Sequence, residues 1–335
     1  MPVTKENDQK NVILKYLNLL ENLNKESANQ FLSLDEKMQT NVVGMALEKC
    51  GNAKIERLFK KIAEIKGLHN VSKANEELLL LSSSPRRHFI IKEIFGLNFS
   101  SQNADTMEHK PDFFTRPETV TTVIALMKLL SIFDNREING KYVIASDTLC
   151  QLEDGTILGK PEGETDKECL KDAEFILKSI LPGSIQTVSS SVILFDVENH
   201  ELHIRSASTK IKFKPENEID EKILAYYLNL SRNRIDGRGP IGKAGGYGIQ
   251  EPEILYLTEY INGDPFTVIA LPIYETIHLL ECCGICIEKK AVDKDILLDA
   301  IWGKETCLSM NVYPPLKDKF ASDFSQLAKK KIINF

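Results

Sequence analysis

Four consecutive leucines, Leu78 to Leu81, run straight into Ser82-Ser83-Ser84-Pro85-Arg86-Arg87, and behind that Phe89, Ile90 and Ile94 recur at helical spacing up to Gly96. A short apolar run bounded by turn residues reads as a buried strand, and the serine-rich stretch after it as a tight loop opening a helix. The same grammar recurs downstream. Val120, Val123, Ile124, Met127 and Leu130 predict a helix over 118–133, and Tyr142 to Ala145 predict a buried strand with Asp147 at its C-terminal end. Cys169, Leu170, Ala173, Ile176, Leu177 and Ile180 predict a helix over 165–181, with Asp166 at its positive end. The pairs 186–197 with 202–213, and 254–261 with 266–271, read as two hairpins, and 223–230 as a helix. Helices alternating with strands, plus antiparallel pairs, give an α/β fold class with a mixed β-sheet and flanking helices.

Outside this region the chain is less eloquent. Residues 1–75 carry helix-like apolar spacing (Ile13, Leu14, Leu17 and Leu20; Val42, Val43, Met45 and Ala46; Ile55, Leu58, Phe59 and Ile62) without a cluster of chemistry-bearing side chains. In the C-terminal part, 293–301 reads as a helix ahead of the basic Lys329-Lys330-Lys331. With 335 residues, 42% hydrophobic and 27% charged, the chain has the balance of a folded protein and not of a disordered or collagen-like one. A formal net charge of −6 lacks the basic excess of a nucleic-acid coater, so the expected partners exclude polymeric nucleic acid. No apolar stretch approaches the roughly 18 residues of a membrane span, and the first residues lack a secretory pattern, so the expectation is a cytoplasmic protein away from the membrane. Seven irregularly spaced cysteines argue against a disulfide framework. Cys282, Cys283 and Cys286 cluster, but a structural zinc site needs four ligands, with His278 and Cys307 the nearest supplements, so buried apolar thiols are the expectation.

The chemistry concentrates in four segments. In the first, Ser84 is placed to cap, Pro85 suits the first helical position, and Arg86 and Arg87 add forked cations that match phosphate oxygens. Asp147, after Val143-Ile144-Ala145, stands where α/β sheets bind ligands, able to hold Mg²⁺ or take a proton from water. Lys128 shares a helix face with Ile124, and Gly159-Lys160-Pro161 carries an ammonium on a rigid segment a hairpin away from Asp147. The stretch Asp236 to Gly248 spells both GxGxxG and GxxxxGK, but both motifs need a preceding strand, and Ala244 lacks the hydroxyl a P-loop uses on Mg²⁺. There remains a flexible glycine loop offering the Lys243 ammonium and the Gln250 amide to a ligand.

Taken together, Ser82-x-Ser84-Pro85-Arg86-Arg87, Ala145-Ser146-Asp147-Thr148, Leu158-Gly159-Lys160-Pro161 and Lys243-Ala244-Gly245-Gly246-Tyr247-Gly248-Ile249-Gln250 closely resemble the Maf family of nucleoside triphosphate pyrophosphatases. The likeness divides the chain into a helical N-terminal extension (1–75), a Maf-like domain (76–284) and a C-terminal extension (285–335). It implies two lobes around a cleft, a homodimer, and a Mg²⁺- or Mn²⁺-dependent hydrolase that cuts nucleoside triphosphates between the α- and β-phosphates, releasing the monophosphate and pyrophosphate. It further implies Asp147, Lys160 and Lys128 as catalytic, Ser84, Arg86 and Arg87 on the phosphates, Thr148, Lys243 and Gln250 on the substrate, and Asp147 with Glu108 on the metal. Gly242, Gly246 and Glu251 depart from the family pattern, and 231–241 resembles an insertion. The glycine-loop form resembles the dTTP/UTP branch. The alternatives are the methylated-guanosine branch, or a nucleotide-binding scaffold without hydrolysis.

Overall fold

A computed structural model describes residues 13–72, 77–104, 106–107, 109–112, 116–232, 238–287, 293–302, 316 and 324–333. Helix α1 covers 13–21. It is followed by α2 (Lys25–Leu32), α3 (Glu36–Cys50), α4 (Asn52–Lys66), β1 (His69–Asn70), β2 (Leu78–Leu81) and α5 (Pro85–Phe89), which runs on into a π-turn over Ile90–Ile94. Next come β3 (Ser100–Ser101), α6 (Pro117–Ser131), β4 (Glu137–Ile138), β5 (Tyr142–Leu152), β6 (Ile157–Leu158) and α7 (Asp166–Phe175) with a second π-turn over Ile176–Ile180. The chain continues through β7 (Ile185–Asp196), β8 (Glu201–Phe213), α8 (Glu221–Arg232), α9 (Pro252–Leu257), β9 (Thr258–Asn262), α10 (Pro265–Ile269), α11 (Ile273–Cys282), α12 (Lys294–Trp302), α13 (Phe324–Lys331) and β10 (Ile332–Ile333).

The sheet order is β10-β9-β8-β7-β5-β2-β3, with β6 on β5. Pairing is parallel at β2–β3, β2–β5 and β9–β10 and antiparallel at β5–β6 and β8–β9, so the sheet is mixed. All four leucines of β2 are buried, as a strand with a parallel neighbour on each side requires. The contacts divide the chain into two units, the first Met1–Asp147, Ser191–Ser206 and Glu275–Cys286, the second Thr148–Ser190, Ala207–Tyr274 and Ile287–Phe335.

In the first unit the N-terminal helices fold against the sheet. Ile55, Leu58, Phe59 and Ile62 form one buried stripe of α4, which ends on Gly67 in the left-handed conformation (φ 67°) that glycine adopts without steric cost. That stripe shares a single core with Leu79 and Leu81 of β2, Val123 and Leu126 of α6, Val143 of β5 and Phe195 of β7. Phe133 joins them, edge-on to Phe59 at 5.8 Å and tilted on Phe195 at 5.1 Å.

In the second unit α7 starts on a reciprocal cap: Thr165 accepts from the Glu168 N–H, and the Glu168 carboxylate accepts from the Thr165 N–H. Two sequence expectations change. The second hairpin is not formed: 254–257 belong to α9 and 266–269 to α10, with β9 the strand between them. Pro252 and Pro265 each take the first helical position, and Asp264 accepts from the Phe266 N–H (2.8 Å), so both stretches are started as helices. Strand β5 also does not stop before Asp147 but runs on to Leu152, because Leu149 and Cys150 are buried and Cys150 pairs with Leu158 of β6. Among the described residues no helix is long and apolar enough to cross a membrane.

Candidate active site

In the first unit the register of β2 on β5 sets the geometry. Leu81 is opposite Ala145 in the parallel ladder, so the two chains leave their pairing together, one into the Ser82–Arg87 loop and the other into Ser146-Asp147. Adjacent strands lie about 4.8 Å apart, and the carboxyl ends of parallel strands are where α/β sheets receive ligands. Ser84 holds the N-cap position of α5, yet its hydroxyl makes no cap bond, contrary to the capping expectation. The loop is stitched by Ser82 instead, whose hydroxyl accepts from the Ser84 N–H and from Arg87 Nη1, both at 3.1 Å. Arg87 is thereby buried and Arg86 half-buried. The Ser84 and Ser146 hydroxyl oxygens are buried without a hydrogen-bond partner among the described residues.

Lys128 reaches this edge from α6. Its Nζ lies 2.8 Å from Asp147 Oδ1, with 9% and 15% of the two side chains exposed. An ammonium at the margin of a buried helix face ordinarily bends toward water; here a carboxylate meets it first. Breaking such a nearly buried pair strands a charge, so each residue fixes the rotamer of the other. Asp147 Oδ2 has no partner among the described residues.

In the second unit Thr148 is engaged by the Ser190 hydroxyl (2.6 Å) and donates to the Ala270 carbonyl (3.3 Å). Lys160 is exposed just after β6, and the Gly159 carbonyl beside it accepts the Gly245 N–H at 2.9 Å. Gly245 (φ 70°) and Gly246 (φ 71°) both hold the left-handed conformation, which makes glycine the fitting residue at each. The side-chain amide of Gln250 lies so close over Gly248 that a Cβ there would come within 2.5 Å of it. The Tyr247 hydroxyl and the Cys150 thiol both donate to Gln186 Oε1 at 2.9 Å. Burial pushes the Cys150 thiol up to about 12 and the Tyr247 and Tyr227 phenols well above their ordinary value, so all three are neutral scaffold groups.

Lys243 departs from expectation. The sequence offers its ammonium to a ligand, but the residue is 3% exposed and its Nζ donates to the Gly239 carbonyl and to Glu251 Oε1 (2.7 Å). Beside it a second buried pair joins Arg238 to Glu253. Sequence reasoning marked Glu251 only as a departure from the family pattern and missed its pairing, and it missed Glu253 altogether. Their signal was two acids flanking Pro252 at a helix start, where the helix dipole favours them. The P-loop reading does not fit the fold, since the described element before the stretch is the helix α8 and the described residues within it hold only a 3₁₀ turn at Ala244–Gly246. Glu108 and Cys307 lie outside the described residues. Among the described residues no group of three His, Cys, Asp or Glu stands ready for a metal. Cys282 and Cys286 are exposed and not the buried thiols expected, because they sit at and beyond the end of α11.

The stretch of chain that carries these residues is also the stretch that matches known proteins. Residues 77–283 match the family model Maf, described as Maf-like protein. The dTTP/UTP pyrophosphatase of Thermotoga petrophila is 34% identical over 196 residues, covering 58% of this chain and 84% of that protein. The protein of the same name from Acetivibrio thermocellus is 33% identical over 220 residues, covering 64% of this chain and 98% of its own. A solved nucleoside-triphosphatase / dITP/XTP pyrophosphatase from Mycobacterium abscessus aligns over 48% of this chain and 100% of its own, at 14% identity and a TM-score of 0.28. The family match opens one residue before β2 and closes one residue after α11, taking in the arginine loop, the Lys128–Asp147 pair and the glycine loop, and the chain belongs to the Maf family.

Proposed function

We propose that this protein hydrolyses dTTP- and UTP-type nucleoside triphosphates between the α- and β-phosphates, releasing the nucleoside monophosphate and pyrophosphate. The observation that carries the proposal is the in-register parallel pair of β2 and β5, which delivers an arginine loop and an ion-paired carboxylate to the same end of that pairing. A triphosphate needs its charge neutralised and a water aligned on phosphorus, and both are matters of positioning and electrostatics. Ser84, Arg86 and Arg87 are assigned to the phosphates. Asp147, oriented by Lys128, is assigned to the water, accepting its proton, or to a divalent ion. In the second unit Lys160 is assigned to phosphate charge, and Thr148 and Gln250 to the nucleotide.

The donor set fits a hard divalent ion. Mg²⁺ is ordinarily held by one or two carboxylates plus substrate phosphates and water, and Asp147 Oδ2 is a carboxylate oxygen with no protein partner among the described residues. Glu108 is assigned as the second carboxylate. Mg²⁺ or Mn²⁺ bound there would offset phosphate charge and polarise the bond that breaks.

The test is a panel of nucleoside triphosphates with Mg²⁺ or Mn²⁺, scoring pyrophosphate and orthophosphate separately. Pyrophosphate from dTTP and UTP is expected. Orthophosphate alone would point to terminal phosphate removal, and no product of either kind to a binding protein. Faster turnover of methylated GTP would move the base preference to the other branch of the family.

A further inference from the structure

We infer that Lys243 and Glu251 form a buried brace that positions the glycine loop, and that Lys243 acts on the reaction through Lys160 and Gln250 without touching the substrate. Lys243 and Glu251 are 3% and 2% exposed, so neither has a face left for a phosphate. Glu251 Oε1 takes the Lys243 ammonium at 2.7 Å and the Gly239 N–H at 3.2 Å, while the same ammonium donates to the Gly239 carbonyl. The backbone of one residue and one ion pair thus close on each other, and the Arg238–Glu253 pair repeats the attachment on the same helix start. Taking four charged side chains out of water is costly, and that cost is met only where each keeps its partner. The Gly239–Lys243 backbone is therefore held to the N-terminus of α9.

The brace is continuous with two residues assigned to the nucleotide. The Lys243 carbonyl accepts the Gly246 N–H (3.0 Å), and the Gly245 N–H donates to the Gly159 carbonyl (2.9 Å), one residue from Lys160. At the other end the Glu251 N–H donates to the Gly248 carbonyl (3.0 Å), which fixes the turn that carries Gln250. Moving a substrate-binding group by about 1 Å can cost roughly a hundredfold in rate, so a slack loop is expected to be felt at both residues.

The turnover readout rests on the pyrophosphatase reading, and a paired substitution in the full chain tests the brace. Lys243→Met strands the Glu251 carboxylate. It is expected to lower the melting temperature and to cut kcat/KM for dTTP by about tenfold or more. Adding Glu251→Gln removes the stranded charge and keeps an oxygen for the Gly239 N–H. The double variant is expected to regain the melting temperature and to return to within about threefold of wild-type kcat/KM. A double variant that melts normally but stays as slow as Lys243→Met makes Lys243 a substrate ligand and overturns the inference. A double variant that remains as unstable as the single one, or a Lys243→Met protein with wild-type turnover and stability, overturns it as well. Wild-type protein that releases no pyrophosphate sinks the activity reading alone, and the melting temperatures of the same variants still decide the brace.

Discussion

Asp147 and Lys128 form one ion pair that bears on stability and, under the proposed function, on chemistry. With only 9% and 15% of the side chains exposed, removing either partner leaves the other in a poor solvent. Lys128→Met is therefore expected to destabilise the first unit by about 3 kcal/mol, read as a lower melting temperature. Asp147→Asn keeps an oxygen for the ammonium, so the fold should hold while kcat falls by about 10² to 10⁴. Near-normal rates in a well-folded Asp147→Asn protein would remove this carboxylate from the mechanism. Both residues were legible in sequence: Lys128 shares its helix face with buried Ile124, and Asp147 follows an apolar run. Lys243 was not, because a lone cation among glycines carries no sign of which way it faces. Its partner Glu251 lies eight positions on, about 12 Å away along a helix and farther along a strand, so only a turn joins them.

At the scale of the element, the fold was readable where periodicity had room to develop and misread where it did not. Helices α6 and α7 run long enough for apolar residues to recur on one face, and β2 is a pure leucine strand. Helices α9 and α10 have six and five residues, too few for a period to emerge, and their Ile, Leu, Val and Phe content imitates strands. Their caps and prolines decided the matter instead. Asp264 does this twice, since Oδ1 accepts from the Phe266 N–H at the start of α10 and Oδ2 from the Ile273 N–H at the start of α11, each at 2.8 Å. Losing a cap costs about 1 kcal/mol. Asp264→Ala is accordingly expected to cost about 2 kcal/mol, with Asp264→Asn recovering part of it, since Asn offers one acceptor oxygen in place of two. A denaturant midpoint unchanged by Asp264→Ala would mean that the prolines alone set these helices. The β5 extension past Asp147 was hidden for a related reason: Ser146-Asp147-Thr148 reads as an exit from a strand, and only pairing with β6 continues it.

Over the whole molecule, the response to alkali draws largely on the second unit, where the protons of several buried groups are held differently from those of the unfolded chain. Cys150 keeps its proton to about 12 against an ordinary value of 9.0, and burial raises Tyr227 and Tyr247 as well. Between the unfolded and folded values the unfolded chain has already released protons that the folded one retains, so the free energy of unfolding falls as pH rises above about 9. Lys331 works in the opposite sense. Burial, with the neighbouring Lys214 charge, lowers it to about 8 from 10.5, while its ammonium donates to the Thr258 carbonyl beside the β9–β10 pairing. Below pH 8 both states carry the proton and the folded state bears the full cost of burying it; from about 8 to 10.5 the unfolded chain binds the extra proton and stability rises. The two trends oppose each other, and three buried acids outnumber one lysine. Melting temperatures measured from pH 7 to 11 are therefore expected to fall above about 9, less steeply in Tyr247→Phe and more steeply in Lys331→Met, where the compensating rise is gone. Parallel curves for the wild type and both variants would place the alkaline transition elsewhere in the chain.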